Sequence, residues 1–302
     1  MPISEPQLET WANAPSSGKI QTTHEQIRKA LEQSNALRDK AFDIYLQGSY
    51  ANSTNIRIDS DVDIIIELRS TFSHNISTLP LDQQQLFHKN FSTATYHWSE
   101  FRLDVINALS DYFGSEWVFP GKKSIKLYGN DTRVDADIVP CQSHRKYESF
   151  SSWNGNDYVE GIKFWIQDGT NKEITNYPKV HIKNGEEKNK EPRTNQMYKD
   201  SVRIVKNMRR RLVENSGFDP KIAPSYFIEC AIYNAPDYIF QTNYQGAIGN
   251  VFDFILNRCD SSKLLTVSHQ HLLFGTEPWQ WNVNNAAHFF LTAQKMYNDE
   301  NL

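Results

Sequence analysis

The clearest pattern of polar and apolar positions in the chain begins at Asp61. Side chains alternate between the two faces of a β-strand, so Asp61 and Asp63 are expected to share one face, roughly 7 Å apart along the backbone. The opposite face would consist of Val62, Ile64 and Ile66. This alternation predicts a strand over residues 62–68 that packs on a core through one face and presents carboxylates on the other.

A second alternating strand is predicted as the return strand of a hairpin over residues 124–140. Its apolar face is formed by Val134, Ala136 and Ile138. Asp135 and Asp137 share the other face, and buried carboxylates on a central strand need a partner. One of them completes a site begun by Asp61 and Asp63, or both pair with Lys or Arg on a solvated face. The presence of the first motif favours the former.

Apolar residues with a helical period predict the remaining elements. The predicted helices are one through Ile27, Ala30, Leu31 and Leu37, and others over 101–113, 197–213, 223–234, 244–257 and 284–296. Residues 150–196 have an irregular polar pattern, and we place the boundary between two lobes there. The predicted domains are therefore 1–195, containing the strands, and 196–302, which is helical.

Composition indicates a globular protein. The 302 residues are 39% hydrophobic and 13% aromatic, enough for one large or two moderate domains. A net charge of −4 argues against a dedicated partner role for duplex nucleic acid. The three cysteines have no C-x-x-C spacing, which is typical of reduced thiols. The first residues do not resemble a signal peptide, and no apolar run approaches the roughly 20 residues that span a bilayer, so we expect a cytoplasmic protein with no membrane partner.

The paired carboxylates suggest metal chemistry. Two adjacent negative charges repel unless a cation lies between them, and Mg²⁺ binds carboxylates, phosphate oxygens and water. Upstream of Asp61 and Asp63, Gly48 lets the backbone approach a ligand, and the amide and hydroxyl of Ser49 can hold a phosphate. A plain turn followed by a solvated strand is the alternative. The third carboxylate downstream favours the catalytic interpretation.

A basic stripe follows in the predicted helix 197–213. Lys199, Arg203 and Lys206 are four and three residues apart and therefore lie on one face. Such a stripe is either a solvated helix face or a site that neutralises a triphosphate. The three arginines at 209–211 are expected at the surface.

Ser225 and Tyr226 begin the next predicted helix. We expect Ser225 at the cap, where a helix N-terminus favours a hydroxyl and an anion. Tyr226 either stacks on a nucleobase or packs in the core.

These motifs, in this order, resemble the polymerase-β-like nucleotidyltransferases, and within them the CD-NTases, bacterial cyclic-oligonucleotide synthases related to cyclic GMP-AMP synthase. The resemblance covers most of the chain. It rests on Gly-Ser-Tyr at 48–50, Asp-Ser-Asp-Val-Asp at 59–63, Asp-Ile-Val-Pro at 137–140, Asn-Tyr-Pro-Lys-x-His at 176–181 and Ser-Tyr-x-x-Glu at 225–229. It implies an α+β fold, with a nucleotidyltransferase palm built on a mixed sheet and a helical C-terminal lobe closing the active-site cleft.

The resemblance also implies roles for individual residues. Asp61, Asp63 and Asp137 would be the catalytic carboxylates and the ligands of two Mg²⁺ or Mn²⁺ ions. The implied nucleotide-binding residues are Gly48, Ser49, Tyr50, Asn176, Arg203, Lys206, Ser225 and Tyr226. Of these, Tyr226 matches a position that stacks a base, and Asn176 resembles a position implicated in choosing between pyrimidine and purine.

The subgroup that the chain most resembles, clade E, contains two kinds of enzyme. One cyclises a single pyrimidine triphosphate, as in Pycsar anti-phage systems, and the other makes cyclic dinucleotides, often with uracil. The sequence at 48–57 resembles the pyrimidine cyclases, so UTP, or alternatively CTP, is the expected substrate, and cyclic UMP the expected product, acting on a separate effector protein. Transfer of AMP to a protein, nucleotide binding without turnover and addition to RNA tails are the rival functions.

Overall fold

The structure is a computed structural model that describes residues 2–15, 18–57, 61–151, 157–240 and 243–299. The chain divides into two compact units. The sheet unit consists of Ser17–Tyr50 and Asp59–Val180. The helical unit consists of Met1–Ser16, Ala51–Ile58 and His181–Leu302.

The described residues form both strands and helices. The strands are β1 (Phe42–Gln47), β2 (Val62–Asn75), β3 (Val118–Pro120), β4 (Ile125–Leu127), β5 (Ala136–Ser149), β6 (Asp157–Trp165) and β7 (Glu173–Asn176). The helices are α1 (Glu5–Ala12), α2 (Gly18–Glu32), α3 (Gly48–Ala51), α4 (Leu81–Asn90), α5 (Trp98–Phe113), α6 (Pro178–Asn189), α7 (Glu191–Thr194), α8 (Met197–Ser216), α9 (Ser225–Tyr233), α10 (Tyr244–Asp253) and α11 (Val283–Asn298). No helix among the described residues is long and apolar enough to cross a bilayer.

All seven strands found in the described residues belong to one mixed sheet of the sheet unit. The order along the main path is β1-β2-β5-β4-β3, and β6 lies between β5 and β7. Only the pair β2 and β5 is parallel among these pairings. The long strand β5 therefore connects the two parts of the sheet, because it pairs with β2 along one edge and with β4 and then β6 along the other.

The apolar face of the sheet packs on α2 and α5. Ile64 and Ile138, adjacent on β2 and β5, are fully buried in the same cluster as Leu31 and Phe101 of the two helices. Each such side chain contributes about 1.5–3 kcal/mol by leaving water. The predicted core faces of both strands are therefore confirmed, and the carboxylates lie on the opposite face.

The helical unit has its own core, to which both ends of the chain contribute. α8 and α9 supply its fully buried centre, including Val202 and Phe227, and Phe289 of α11 packs there. Trp11 of α1 is 5% exposed and belongs to the same core. The predicted α+β fold with a helical C-terminal part is confirmed.

Two features of the fold differ from the sequence prediction. Along the chain, the boundary between the two units falls at 180/181 rather than at 195/196, and residues 51–58 belong to the helical unit. The region 150–196, predicted to be irregular, contains β6, β7 and α6. These strands were missed because they are largely half-buried and their apolar residues do not alternate cleanly.

Candidate active site

The parallel pairing of β2 and β5 brings two of the predicted carboxylates together. Asp63 and Asp137 are register partners, so both side chains lie on the same face of neighbouring strands. Their apolar neighbours on each strand fill the core on the opposite face, which fixes this register. The sheet therefore holds two like charges side by side.

Asp61 lies just before β2, and its carboxylate is paired with Lys126 of β4. The ammonium is 2.5 Å from Asp61 Oδ2 and 3.4 Å from Asp135 Oδ2. Lys126 is also the register partner of Asp137 across the β4–β5 pair. Burial alone would lower the pKa of Lys126, but the hydrogen bond to Asp61 and the surrounding carboxylates hold it above its ordinary value.

The two candidates for the third carboxylate have different environments. Asp135 accepts a hydrogen bond from the Gly129 amide at 2.7 Å and so closes the turn between β4 and β5. Asp137 receives a weaker hydrogen bond from the Ser124 hydroxyl at 3.3 Å and is aligned with Asp63. The geometry therefore favours Asp137, as predicted, and gives Asp135 a structural function.

The environment of Asp63 disfavours its charged form. Burial, followed by the charges of Asp137 and Asp61, raises its pKa to about 6, and Lys126 only partly offsets the effect. Gly48 makes room for this carboxylate: its φ is +70°, and a Cβ there would overlap Asp63 Oδ2. The backbone at Gly48 was predicted to approach a ligand closely; in the structure it closely approaches the Asp63 carboxylate of the same unit.

The carboxylate cluster fits a divalent cation in its chemistry. Its oxygens are the donors that Mg²⁺ and Mn²⁺ prefer, and its charges repel one another without a cation. Within the described part of the chain, no three Asp, Glu, His or Cys side chains already form a metal-holding group. Lys126 pairs with Asp61 and so supplies part of the positive charge that a metal ion would supply to the carboxylate cluster.

The other predicted residues of the sheet unit lie on two elements. Ser49 and Tyr50 are in the single turn α3, and the Tyr50 ring packs against the core of the sheet unit. Asn176 ends β7 and is exposed. Three residues later, Lys179 donates to Glu67 at 2.9 Å and thus ties this segment to β2.

The basic stripe of α8 is not a solvated face. Arg203 and Lys206 are 7% and 4% exposed. The Arg203 guanidinium donates to the carbonyls of Ala12 and Ser53 and to Asp200, contacts that are structural and do not support its predicted role on phosphate. Lys206 donates to the Thr54 carbonyl at 2.5 Å, and desolvation by burial lowers its pKa to about 8.

Ser225 is the first residue of α9 rather than its cap, which is Pro224. Its hydroxyl accepts a hydrogen bond of 3.0 Å from Arg209 Nη2, and Arg209 Nη1 donates to the Ala223 carbonyl. The prediction that Arg209 is a surface residue is wrong, since it is half-buried and supports the start of α9. The support that Arg209 gives to the start of α9 depends on its position beside Ser225 in the folded chain, and no sequence motif indicates it.

Tyr226 is 43% exposed, so it is not a core aromatic. One ring contact is a stack on His181 at 5.3 Å and 30°, and another is with Trp281 at 5.6 Å. A half-exposed ring supported from behind is suited to stack on a further ring.

Comparisons with known proteins identify the family to which this chain belongs. A sequence profile of the cGAS/DncV-like nucleotidyltransferase C-terminal helical domain matches residues 183–298. A cyclic UMP-AMP synthase of Rhodothermus marinus is 39% identical over 289 residues, which cover 96% of each chain. Cyclic nucleotide synthase CdnE01 of Staphylococcus haemolyticus is 38% identical over 304 residues, covering 99% of this chain and 100% of the relative. The chain belongs to the CD-NTase family.

The solved structure of the Rhodothermus marinus CdnE c-UMP-AMP synthase with Apcpp and Upnpp matches this CD-NTase with a TM-score of 0.88. Its sequence is 38% identical, and the match covers 98% of this chain and 97% of that one. The predicted family and enzyme class, a nucleotidyltransferase that forms cyclic nucleotides, are confirmed. The profile match begins close to the boundary at 180/181, in agreement with the division of the fold.

We expect Gly48→Ala to impair turnover far more than stability. The new Cβ would displace the Asp63 carboxylate, and a misplacement near 1 Å costs on the order of 100-fold in rate. Gly217→Ala is the matched control, because Gly217 has a φ of +68° and no neighbour within 4 Å of a built Cβ. Both variants should lose about 1–2 kcal/mol of stability through the left-handed backbone. Equal turnover in the two variants would contradict this function of Gly48.

We expect Lys126→Met to raise the affinity for divalent cations. Removing an ammonium that neutralises Asp61 leaves more negative charge for a metal ion, an effect on the order of tenfold or more at this separation. Without metal, the same variant should melt at a lower temperature. Calorimetric titration with Mn²⁺ and thermal unfolding in a chelator measure the two effects. Lys123→Met, at an exposed position of the same segment, is the control; unchanged or weaker Mn²⁺ binding by Lys126→Met would refute the expectation.

Proposed function

We propose that this CD-NTase joins two nucleoside triphosphates, at least one of them a uridine nucleotide, into a cyclic dinucleotide with release of diphosphate. The observation that carries the proposal is the register pairing of Asp63 with Asp137, with Asp61 at the entry of the same strand. A relative named cyclic UMP-AMP synthase, similar along nearly the whole chain, supports uracil and a two-nucleotide product. Cyclisation of a single UTP or CTP, expected from the sequence at 48–57, is the second candidate.

We propose Asp61, Asp63 and Asp137 as the residues that hold two Mg²⁺ or Mn²⁺ ions. When bound, such a pair lowers the pKa of the attacking hydroxyl and neutralises charge on the transferred phosphoryl group. The residues themselves supply a rigid, negatively charged floor, because the sheet fixes the backbone of both strands. Gly48 leaves the space that the Asp63 side chain occupies.

We assign the remaining nucleotide contacts to each unit separately. In the sheet unit, Ser49 is proposed to contact phosphate and Asn176 to contact a base. In the helical unit, Ser225 is proposed to contact phosphate, because its hydroxyl lies at the beginning of a helix and beside the Arg209 guanidinium. Tyr226 is proposed to stack on a base. The product would be a second messenger for a separate effector protein in anti-phage defence.

Replacing the third carboxylate tests its assignment. We expect Asp137→Asn to lower kcat by about 100-fold or more, since metal-held charge stabilisation is worth several kcal/mol. Asp135→Asn should retain most turnover and melt at a lower temperature, because the Gly129 amide loses a charged acceptor. Diphosphate release and thermal unfolding provide the two readouts. A greater loss of turnover in Asp135→Asn would show that the third carboxylate is misassigned.

The product is identified by incubating the chain with each nucleoside triphosphate singly and in pairs, with Mg²⁺ or Mn²⁺, and analysing phosphatase-resistant products by mass spectrometry. We expect a cyclic dinucleotide that contains uracil and requires UTP. The double variant Asp61→Ala, Asp63→Ala is the negative control. A cyclic mononucleotide from UTP or CTP alone would establish the second candidate. A nucleotide covalently attached to protein, without any cyclic product, would refute both.

A further inference from the structure

The helical unit contains a buried carboxylate that the proposed chemistry does not use, Glu229 of α9. It is 5% exposed, and its two oxygens have different partners. Oε1 is 2.7 Å from His181 Nε2, and Oε2 accepts a hydrogen bond of 3.2 Å from the Thr54 hydroxyl. A buried carboxylate of this kind is costly unless each oxygen is satisfied, so the contacts fix the side chain in one orientation.

His181 lies between Glu229 and the half-exposed ring of Tyr226 and contacts both. It is 5% exposed, and the hydrogen bond with Glu229 fixes the rotation of its imidazole ring. The imidazole stacks on the ring of Tyr226, which is 43% exposed. A buried imidazole, hydrogen-bonded to Glu229, therefore stacks on the ring that we propose as the base-stacking platform.

The same carboxylate is also linked, through Thr54, to the buried Lys206 of α8. Thr54, whose hydroxyl binds Glu229, accepts the Lys206 ammonium on its backbone carbonyl at 2.5 Å. The charge of Glu229 acts on Lys206 as well, since it opposes the effect of burial on the lysine pKa. Thr54 and Glu229 thus connect the support of Tyr226 with Lys206 of the basic stripe.

We propose that Glu229 and His181 are positioning residues that hold the Tyr226 ring in the orientation required for stacking on the substrate base. The proposal rests on the proposed function of Tyr226. It predicts that His181 contributes to affinity only when the ligand has a base and only when Tyr226 is present. A purely structural function in the core would affect every ligand equally.

The test compares two ligands that share a triphosphate, a non-hydrolysable UTP analogue and ribose 5′-triphosphate, which has no base. We expect His181→Ala to weaken binding of the UTP analogue about three- to tenfold, the range of an aromatic pair, and to leave ribose 5′-triphosphate binding unchanged. His288→Ala is the matched control, because His288 stacks on Phe218 at 5.4 Å elsewhere in the same unit. It should affect neither ligand.

Two further variants distinguish positioning from general support. Glu229→Gln can still hydrogen-bond to His181 and Thr54 and should keep most of the base-dependent affinity, whereas Glu229→Ala should lose it. In a Tyr226→Ala background, His181→Ala should cause no additional loss, since the two residues act as one unit. Additive losses, or equal weakening of both ligands, would overturn the proposal.

Binding by Tyr226→Ala distinguishes a failure of the proposed base-stacking function from a failure of the positioning function. If this variant binds the UTP analogue as tightly as the unaltered chain does, the base-stacking function is wrong and the positioning function falls with it. If Tyr226→Ala loses the base-dependent affinity but His181→Ala does not, only the positioning function is wrong. Circular dichroism of each variant confirms that the helical unit is folded, and Glu229→Gln with His181→Ala suffices if Glu229→Ala fails to fold.

Discussion

The repulsion between Asp63 and Asp137 is the constraint on which the candidate site depends. Parallel pairing of β2 and β5 places the two carboxylates opposite each other, and a shift of either strand by one residue would turn its aspartate into the apolar core and its isoleucine, Ile64 or Ile138, out of it. Packing on the other face therefore enforces a charge arrangement that is unfavourable by itself. The fold tolerates it because Lys126 lies opposite Asp137 and pairs with Asp61.

Glu67 shows that this sheet can neutralise a buried carboxylate fully when it serves structure. It lies on β2, four residues after Asp63 and on the same face. Its partners are the side chains of Tyr45, Ser143, Arg69 and Lys179. Although burial opposes it, these hydrogen bonds and charges hold the pKa of Glu67 below its ordinary value, whereas the pKa of Asp63 is raised. Of these two acids on β2, Asp63 is therefore the one whose charge is not balanced, a pattern that is common at functional sites.

The sequence was sufficient for the parts of the structure that follow from local periodicity. The alternation in β2 and β5 predicts which side chains enter the core, and the same alternation predicts that Asp61, Asp63 and Asp137 face away from it. Pairing of the two strands, and hence the register of Asp63 with Asp137, required the folded chain. The assignment of residues 51–58 to the helical unit could not be predicted, because the buried residues of this segment are polar and hydrophobic periodicity gives no signal there.

That buried polar segment also explains why the basic stripe was ambiguous. Residues 53 and 54 lie outside regular structure, so their carbonyls need donors that the backbone does not provide. Arg203 and Lys206 supply these donors. The spacing of the basic residues in the sequence is the same whether they bind backbone carbonyls of an irregular segment or a phosphate, so the sequence alone does not distinguish the two functions. The lowered pKa of Lys206 reflects this desolvation. The charge of Glu229 opposes this lowering, and the same acid contacts Thr54 of the segment and the His181 ring that stacks on Tyr226.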